Sequence, residues 1–396
     1  MSDVLSALGK SARSVECEAG TSMNASPLRF LSFVDGDVLF ENIDGVLEND
    51  RLKVELTVGA SLACTVTVNG IPAEEVSLGT YRVMLFLKDY RTSVRAVCLE
   101  TGEEKTAQLF WFRGGYHTYR VGVDDVIFCL KNIWEHQEEY HSLFDDPYLA
   151  MYRELYDRYG TRTHMHIYYE TVDKSFNLSM FPDKYKEEFS ANAHWLRFSF
   201  HARADLPDSP YKYADYEQVI EEGRMVEREI LRFAGKEVMD RVTSEHFADS
   251  NRSATRAFRD LGFSVLDAYF LIDDQEEPSV SYYLSVDQTR HAQNRDFWVD
   301  TEEDIIFVKD DVILNSHTPE GIRACLDSYL TRDDRAFMYL LIHEQYFYPH
   351  WRRYLPDYKE RLFAGVEWCE EHGYRSCWIS DFAFEDSIKK KVEEKR

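Results

Sequence analysis

Four side chains in this sequence have the types and spacing to bind a metal ion and move a proton: adjacent Asp124 and Asp125, and His201 with Asp205 four residues on. Neighbouring carboxylates on an extended chain project to opposite sides, so one can ligate while the other takes a proton. A one-turn separation would bring His201 and Asp205 to one side as two ligands of one ion. Imidazole with carboxylate suits zinc, manganese, cobalt or iron better than calcium. His343 ends the apolar run Leu340-Leu-Ile, where a buried imidazole can return a proton to a leaving group and Asp381 can hold its tautomer. His164 and His166 alternate onto one strand face as a candidate metal pair, His246 ends the expected strand 241–246, and Glu344 follows His343. Each group also has a structural reading: an exposed acidic turn, a helix cap, or a core histidine with its hydrogen bonds satisfied.

These side chains need elements that deliver them to one place. From residue 116 the chain alternates strand and helix, the pattern of parallel βα units. Strands are expected at 119–123, 163–169, 195–200, 241–246, 264–270, 305–309, 337–343 and 376–380. Helices are expected at 146–159, 184–193, 216–234, 252–261, 318–329 and 357–372. The polar residues fall at strand ends, where β/α barrels gather their chemistry. Residues 28–115 carry short alternating runs with Asn69-Gly70 and Thr101-Gly102 as turns and no helix-length pattern, which reads as an immunoglobulin-like β-sandwich. Residues 1–27, rich in Ser, Ala and Gly, read as a loose tail. The expected architecture is therefore tail (1–27), sandwich (28–115) and a distorted (β/α)7-8 barrel (116–396).

Among 396 residues, 71 acidic against 46 basic side chains leave a net charge of −25, which argues against a nucleic-acid partner. No run reaches the roughly 18 to 20 apolar residues that cross a bilayer, and the first residues lack a secretion signal's apolar core, so the chain as written is expected in the cytosol. Seven scattered cysteines without a Cys-x-x-Cys argue against a disulfide framework and against a cysteine zinc knuckle. A phosphate-binding glycine loop, a dinucleotide fingerprint, a serine-hydrolase elbow and His-Glu-x-x-His are all absent. The aromatic run Gln345-Tyr-Phe-Tyr-Pro-His-Trp351, with Tyr282-Tyr283 and Phe297-Trp298, can supply flat platforms for sugar rings.

Val121-Gly-Val-Asp-Asp-Val126, His201-Ala-Arg-Ala-Asp205 and Leu341-Ile-His343 together resemble the polysaccharide deacetylase (NodB-like) superfamily, carbohydrate esterases of family four. The resemblance spans roughly residues 116–384. It implies a distorted barrel with Asp124 as base, Asp125 and His201 as metal ligands, and His343 as acid. Asp205 stands where that family has a second histidine, and the glycine after the family's Asp-Asp is missing. The resemblance thus implies a hydrolase that removes an acyl group from an N- or O-acylated carbohydrate, with one divalent ion, zinc foremost, held by Asp125, His201 and Asp205. His246, His166, Glu344 and Asp381 are further candidates. Two other readings stand beside it: a barrel glycosidase using paired carboxylates, Asp124 and Glu344 first, and a non-catalytic carbohydrate-binding protein.

Overall fold

The computed structural model describes residues 28–61 and 64–385, so the segment read as a loose tail lies outside the described residues. The chain divides into two compact units, the first holding the described residues up to Val34 with Glu55–Leu85 and Ser93–Ala107. Here alternating apolar residues form antiparallel strands, and Val66 on strand Val66–Val68 lies opposite Cys98. That register brings Cys64 to Cys98, and the two form a disulfide with Cα atoms 5.9 Å apart across 34 residues. The bond corrects the reading of the cysteines as unpaired, although Cys129, Cys325, Cys369 and Cys377 are free. No local motif announces a pair created by strand register. Replacing both Cys64 and Cys98 by alanine is expected to lower stability by about 2–4 kcal/mol in urea unfolding, because the open loop gains entropy when unfolded.

The second unit takes Asp35–Val54, Phe86–Thr92 and everything from Gln108 onward, so it begins before the boundary expected at 115. Burial explains the difference. Asp37 is fully buried and paired with His291 at 2.5 Å and Arg295 at 2.9 Å. Val38, Phe40, Phe110 and Phe112 share a core with Phe297, Phe337 and Phe382.

From Thr118 the unit is mixed α/β. The strands of its two larger sheets are β1 (Thr118–Val126), β2 (Thr163–Tyr168), β3 (Leu196–Ala202), β4 (Val242–Thr243), β5 (Val265–Ala268), β6 (Phe297–Asp300), β7 (Ile305–Lys309), β8 (Val312–Ile313), β9 (Phe337–His343) and β10 (Arg375–Ser376), and Leu271–Ile272 pairs with Pro278–Ser279 as a separate antiparallel hairpin. The helices are α1 (Phe128–Glu135), α2 (Pro147–Tyr159), α3 (Lys186–Asn192), α4 (Tyr216–Phe233), α5 (Arg252–Leu261), α6 (Val286–Ala292), α7 (Pro319–Asp327) and α8 (Tyr358–Glu371). One sheet runs β3-β2-β1-β9-β8 in parallel, with β10 beside the start of β1, and a second runs β4-β5-β7-β6 with only β6 antiparallel. β1, β2 and β9 are buried almost throughout, as strands covered on both faces must be. Local chemistry places the helices: Asp146 caps α2 ahead of Pro147, and Asn251 accepts from the first amides of α5.

Four of these labelled elements escaped the sequence reading: α1, α6, β6 and β8. The expected last strand shrinks to two residues paired with Thr118 and Tyr119, at the amino end of β1. Asp381 is therefore an ion-pair partner of Arg162 at 2.5 Å, and the expectation that it would hold the His343 tautomer is corrected. Among the described residues, no helix is long and apolar enough to cross a membrane.

Candidate metal centre

The carboxyl end of β1 is irregular, and that irregularity builds the site. Its register with β2 slips between Val123 and Val126, and Asp125 takes a left-handed backbone with φ of 63°. Regular alternation would send one of two adjacent carboxylates away. The bulge instead leaves Asp124 and Asp125 equally buried, each 5% exposed, and both turned toward the ends of β2, β3 and β4.

Asp125 meets two imidazoles. His201 Nε2 lies 3.2 Å from Asp125 Oδ1, His246 Nδ1 lies 3.4 Å from the same oxygen, and the two ring nitrogens are 3.2 Å apart. The outer nitrogens are spoken for: His201 Nδ1 donates to the Ser244 carbonyl at 2.5 Å and His246 Nε2 to the Asp205 carbonyl at 3.1 Å. A carbonyl only accepts, so in the neutral ring each inner nitrogen presents a lone pair, the arrangement of metal-bound histidines. With both rings neutral, three electron-rich atoms converge on one buried point. Burial pulls the His201 imidazole down, but Asp124 and Asp125 outweigh it and push it up to about 9. Burial likewise pushes Asp125 up, yet its bonds with His201 and His246 hold it well below the usual carboxylate range. The donor set is that of a cation site, and these three residues could hold a metal ion.

Asp205 does not join them. Residues 201–205 leave an extended strand, so the helical spacing read from the sequence does not apply. Asp205 Oδ1 accepts from Gln345 Nε2 at 2.8 Å and stays 4.0 Å from His246 Nε2, while its backbone carbonyl orients that ring. The expected ligand is corrected to a supporting residue. Burial, then the charge of Asp125, raise its carboxyl above the usual range.

Asp124 faces the other way around the bulge. Its Oδ1 lies 2.5 Å from His166 Nδ1, and Ser244 Oγ donates to its Oδ2 at 2.9 Å. Arg120, 1% exposed, donates through Nη2 to His166 Nε2 at 2.9 Å and to His164 Nδ1 at 2.6 Å. Since guanidinium only donates, the His166 proton sits on Nδ1 and points at Asp124. Asp124, His166 and His201 also converge closely enough to hold an ion, but both His166 nitrogens are already engaged. His164 and His166, whose alternation also allowed a packed reading, form an arginine-held chain. Burial opposes ionisation of Asp124, but His201 and His166 hold its carboxyl below the usual range.

His343 stands beside Asp124 in the β1–β9 register, and Asn315 Oδ1 accepts from its Nδ1 at 2.9 Å. Glu344, fully buried, accepts from the amides of Ile127, Phe128 and Cys129 at 2.6–2.7 Å and so caps α1. Its oxygens are filled, which corrects its candidacy as one of two glycosidase carboxylates. Sequence reasoning missed Tyr168, whose hydroxyl donates to Asp125 and lies 2.9 Å from His246 Nδ1, and also Arg120, Ser244 and Asn315. Only Tyr168 left a signal: it ends an apolar strand, as His343 does.

A cleft of about 460 Å³ is lined by Tyr168, which hydrogen-bonds Asp125, by Asp205 and Gln345, and by the aromatic Phe128, His350 and Trp351. Phe128 packs edge-on to His350 with ring centres 5.2 Å apart.

No family model matches this chain, and neither does any curated protein. Among solved structures it is similar to a Bacteroides fragilis protein described as a candidate alpha-galactosidase, at 9% identity and a TM-score of 0.26, over 89% of this chain and 80% of that one.

Proposed function

We propose that this chain is a metal-dependent hydrolase that removes an acyl group, acetyl in the simplest case, from an N- or O-acylated carbohydrate. One observation supports it above the others: the inner atoms of Asp125, His201 and His246 stand 3.2, 3.2 and 3.4 Å from one another. Ligands about 2.0–2.1 Å from a tetrahedral zinc ion are separated by about 3.3–3.4 Å. The ion proposed is divalent, zinc foremost with manganese, cobalt or iron as alternatives, held by Asp125, His201 and His246. When bound there, the ion supplies a Lewis acid that polarises an acyl carbonyl and acidifies water.

The chain's own groups divide the remaining work. Asp124 is ionised and doubly hydrogen-bonded, which orients it but weakens it as a proton acceptor, so proton transfer is assigned to the His343 imidazole. The aromatic rings of the cleft suit the C–H faces of a sugar. The fold proposed is a distorted β/α barrel preceded by an immunoglobulin-like sandwich. Supporting the barrel, the parallel neighbours follow chain order, and a bridge from Phe198 on β3 to Met239, just before β4, brings the two sheets together. The Cys64–Cys98 bond favours an oxidising compartment over the cytosol.

Metal analysis of the purified protein, with acetate release from N- and O-acetylated oligosaccharides, tests the reading. About one equivalent of zinc is expected, with release abolished by a chelator and restored by the ion. Substoichiometric metal after zinc loading would end it.

A further inference from the structure

We propose that Asn315 is a positioning residue that sets which nitrogen of His343 faces the site; its catalytic consequence, though not its geometry, rests on the hydrolase reading. Asn315 follows β8, is 9% exposed, and its Oδ1 lies 3.0 Å from the backbone nitrogen of His343 and 2.9 Å from Nδ1 of the same residue. A backbone amide can only donate, so the side-chain atom facing it must be the amide oxygen rather than its nitrogen. The same oxygen then accepts from the ring, which places the proton on Nδ1. Nε2 is left with its lone pair, the form that can take a proton and pass it on.

Asn315 is itself held in place. Arg361 on α8 donates from Nη1 to the Asn315 carbonyl at 3.2 Å and to the His317 carbonyl, while its Nε is paired with Asp357 at 2.9 Å. One amide oxygen thus ties the end of β9 to the segment after β8 and orients the ring together. The charged groups facing His343 are Asp124 and Asp125 from β1, and Tyr346 lies beside it with ring centres 6.1 Å apart.

The test is nitrogen-15 NMR of the histidine rings in the full-length protein, with His343 assigned by its loss in His343→Gln. The wild type should show His343 protonated on Nδ1 and bare on Nε2. Asn315→Ala should shift the ring toward a mixture of tautomers and lower kcat by about 100-fold with KM little changed. Asn315→Asp keeps the acceptor oxygen, so it should preserve the tautomer. It also carries the test if the alanine variant does not fold. An Nε2-protonated wild type, an unmoved tautomer in Asn315→Ala, or a changed tautomer in Asn315→Asp would each overturn the proposal. The ring spectra need neither substrate nor metal, so a protein that releases no acetate but shows the expected tautomer would sink the hydrolase reading alone.

Discussion

His201→Ala is expected to weaken metal binding by at least about 100-fold, since even outer partners of a ligand contribute 10- to 100-fold. His246→Ala should match it, because the two rings present equivalent nitrogens 3.2 Å apart, each backed by a carbonyl. Asp205→Ala is the control that separates the arrangement seen from the one its spacing suggested. Its carboxylate bonds Gln345, and the carbonyl that orients His246 survives the substitution, so metal should be retained within a few-fold. Equilibrium dialysis with zinc reads all three variants. Loss of metal in Asp205→Ala with retention in His246→Ala would reverse the assignment.

Glu344→Ala should destabilise the second unit by about 3–5 kcal/mol, because it strands three amide donors and removes a fully buried carboxylate. Its pH dependence has a definite sign. Burial pushes this carboxyl up to about 7, against the pull of the three donors, while an unfolded glutamate titrates near 4.5. Between those values the folded chain holds more protons than the unfolded one. This group's contribution to stability is therefore full below about pH 4.5 and falls as pH rises to 7, by at most about 1.4 kcal/mol per unit. Glu344→Gln should flatten that slope, and urea unfolding at several pH values measures it. A slope unchanged in the glutamine variant would show that the carboxyl does not titrate in this range.

Much of the frame was legible. Seven of the eight expected strand segments past residue 116 contain an observed strand of the parallel sheets, and the helices begin where Asp146, Asn251 and Thr318 announce them, because caps and periodicity are local properties. Strand α/β alternation also put Asp124, Asp125, His201, His246 and His343 at strand ends. The short segments α1, α6, β6 and β8 were not legible, being too brief to display a period.

Residue type and chain position alone were enough to nominate carboxylates and imidazoles at strand ends. Which of them meet depended on long-range geometry. Asp124 and Asp125 serve neighbouring clusters because a bulge breaks alternation, and His246 rather than Asp205 completes the three because β4 lies beside β3. Glu344 and Asp381 were diverted, one to a helix end and the other to Arg162. A hydrogen bond depends on distances of a few tenths of an ångström between residues such as Arg162 and Asp381, 219 positions apart, and spacing along the chain carries no record of that separation.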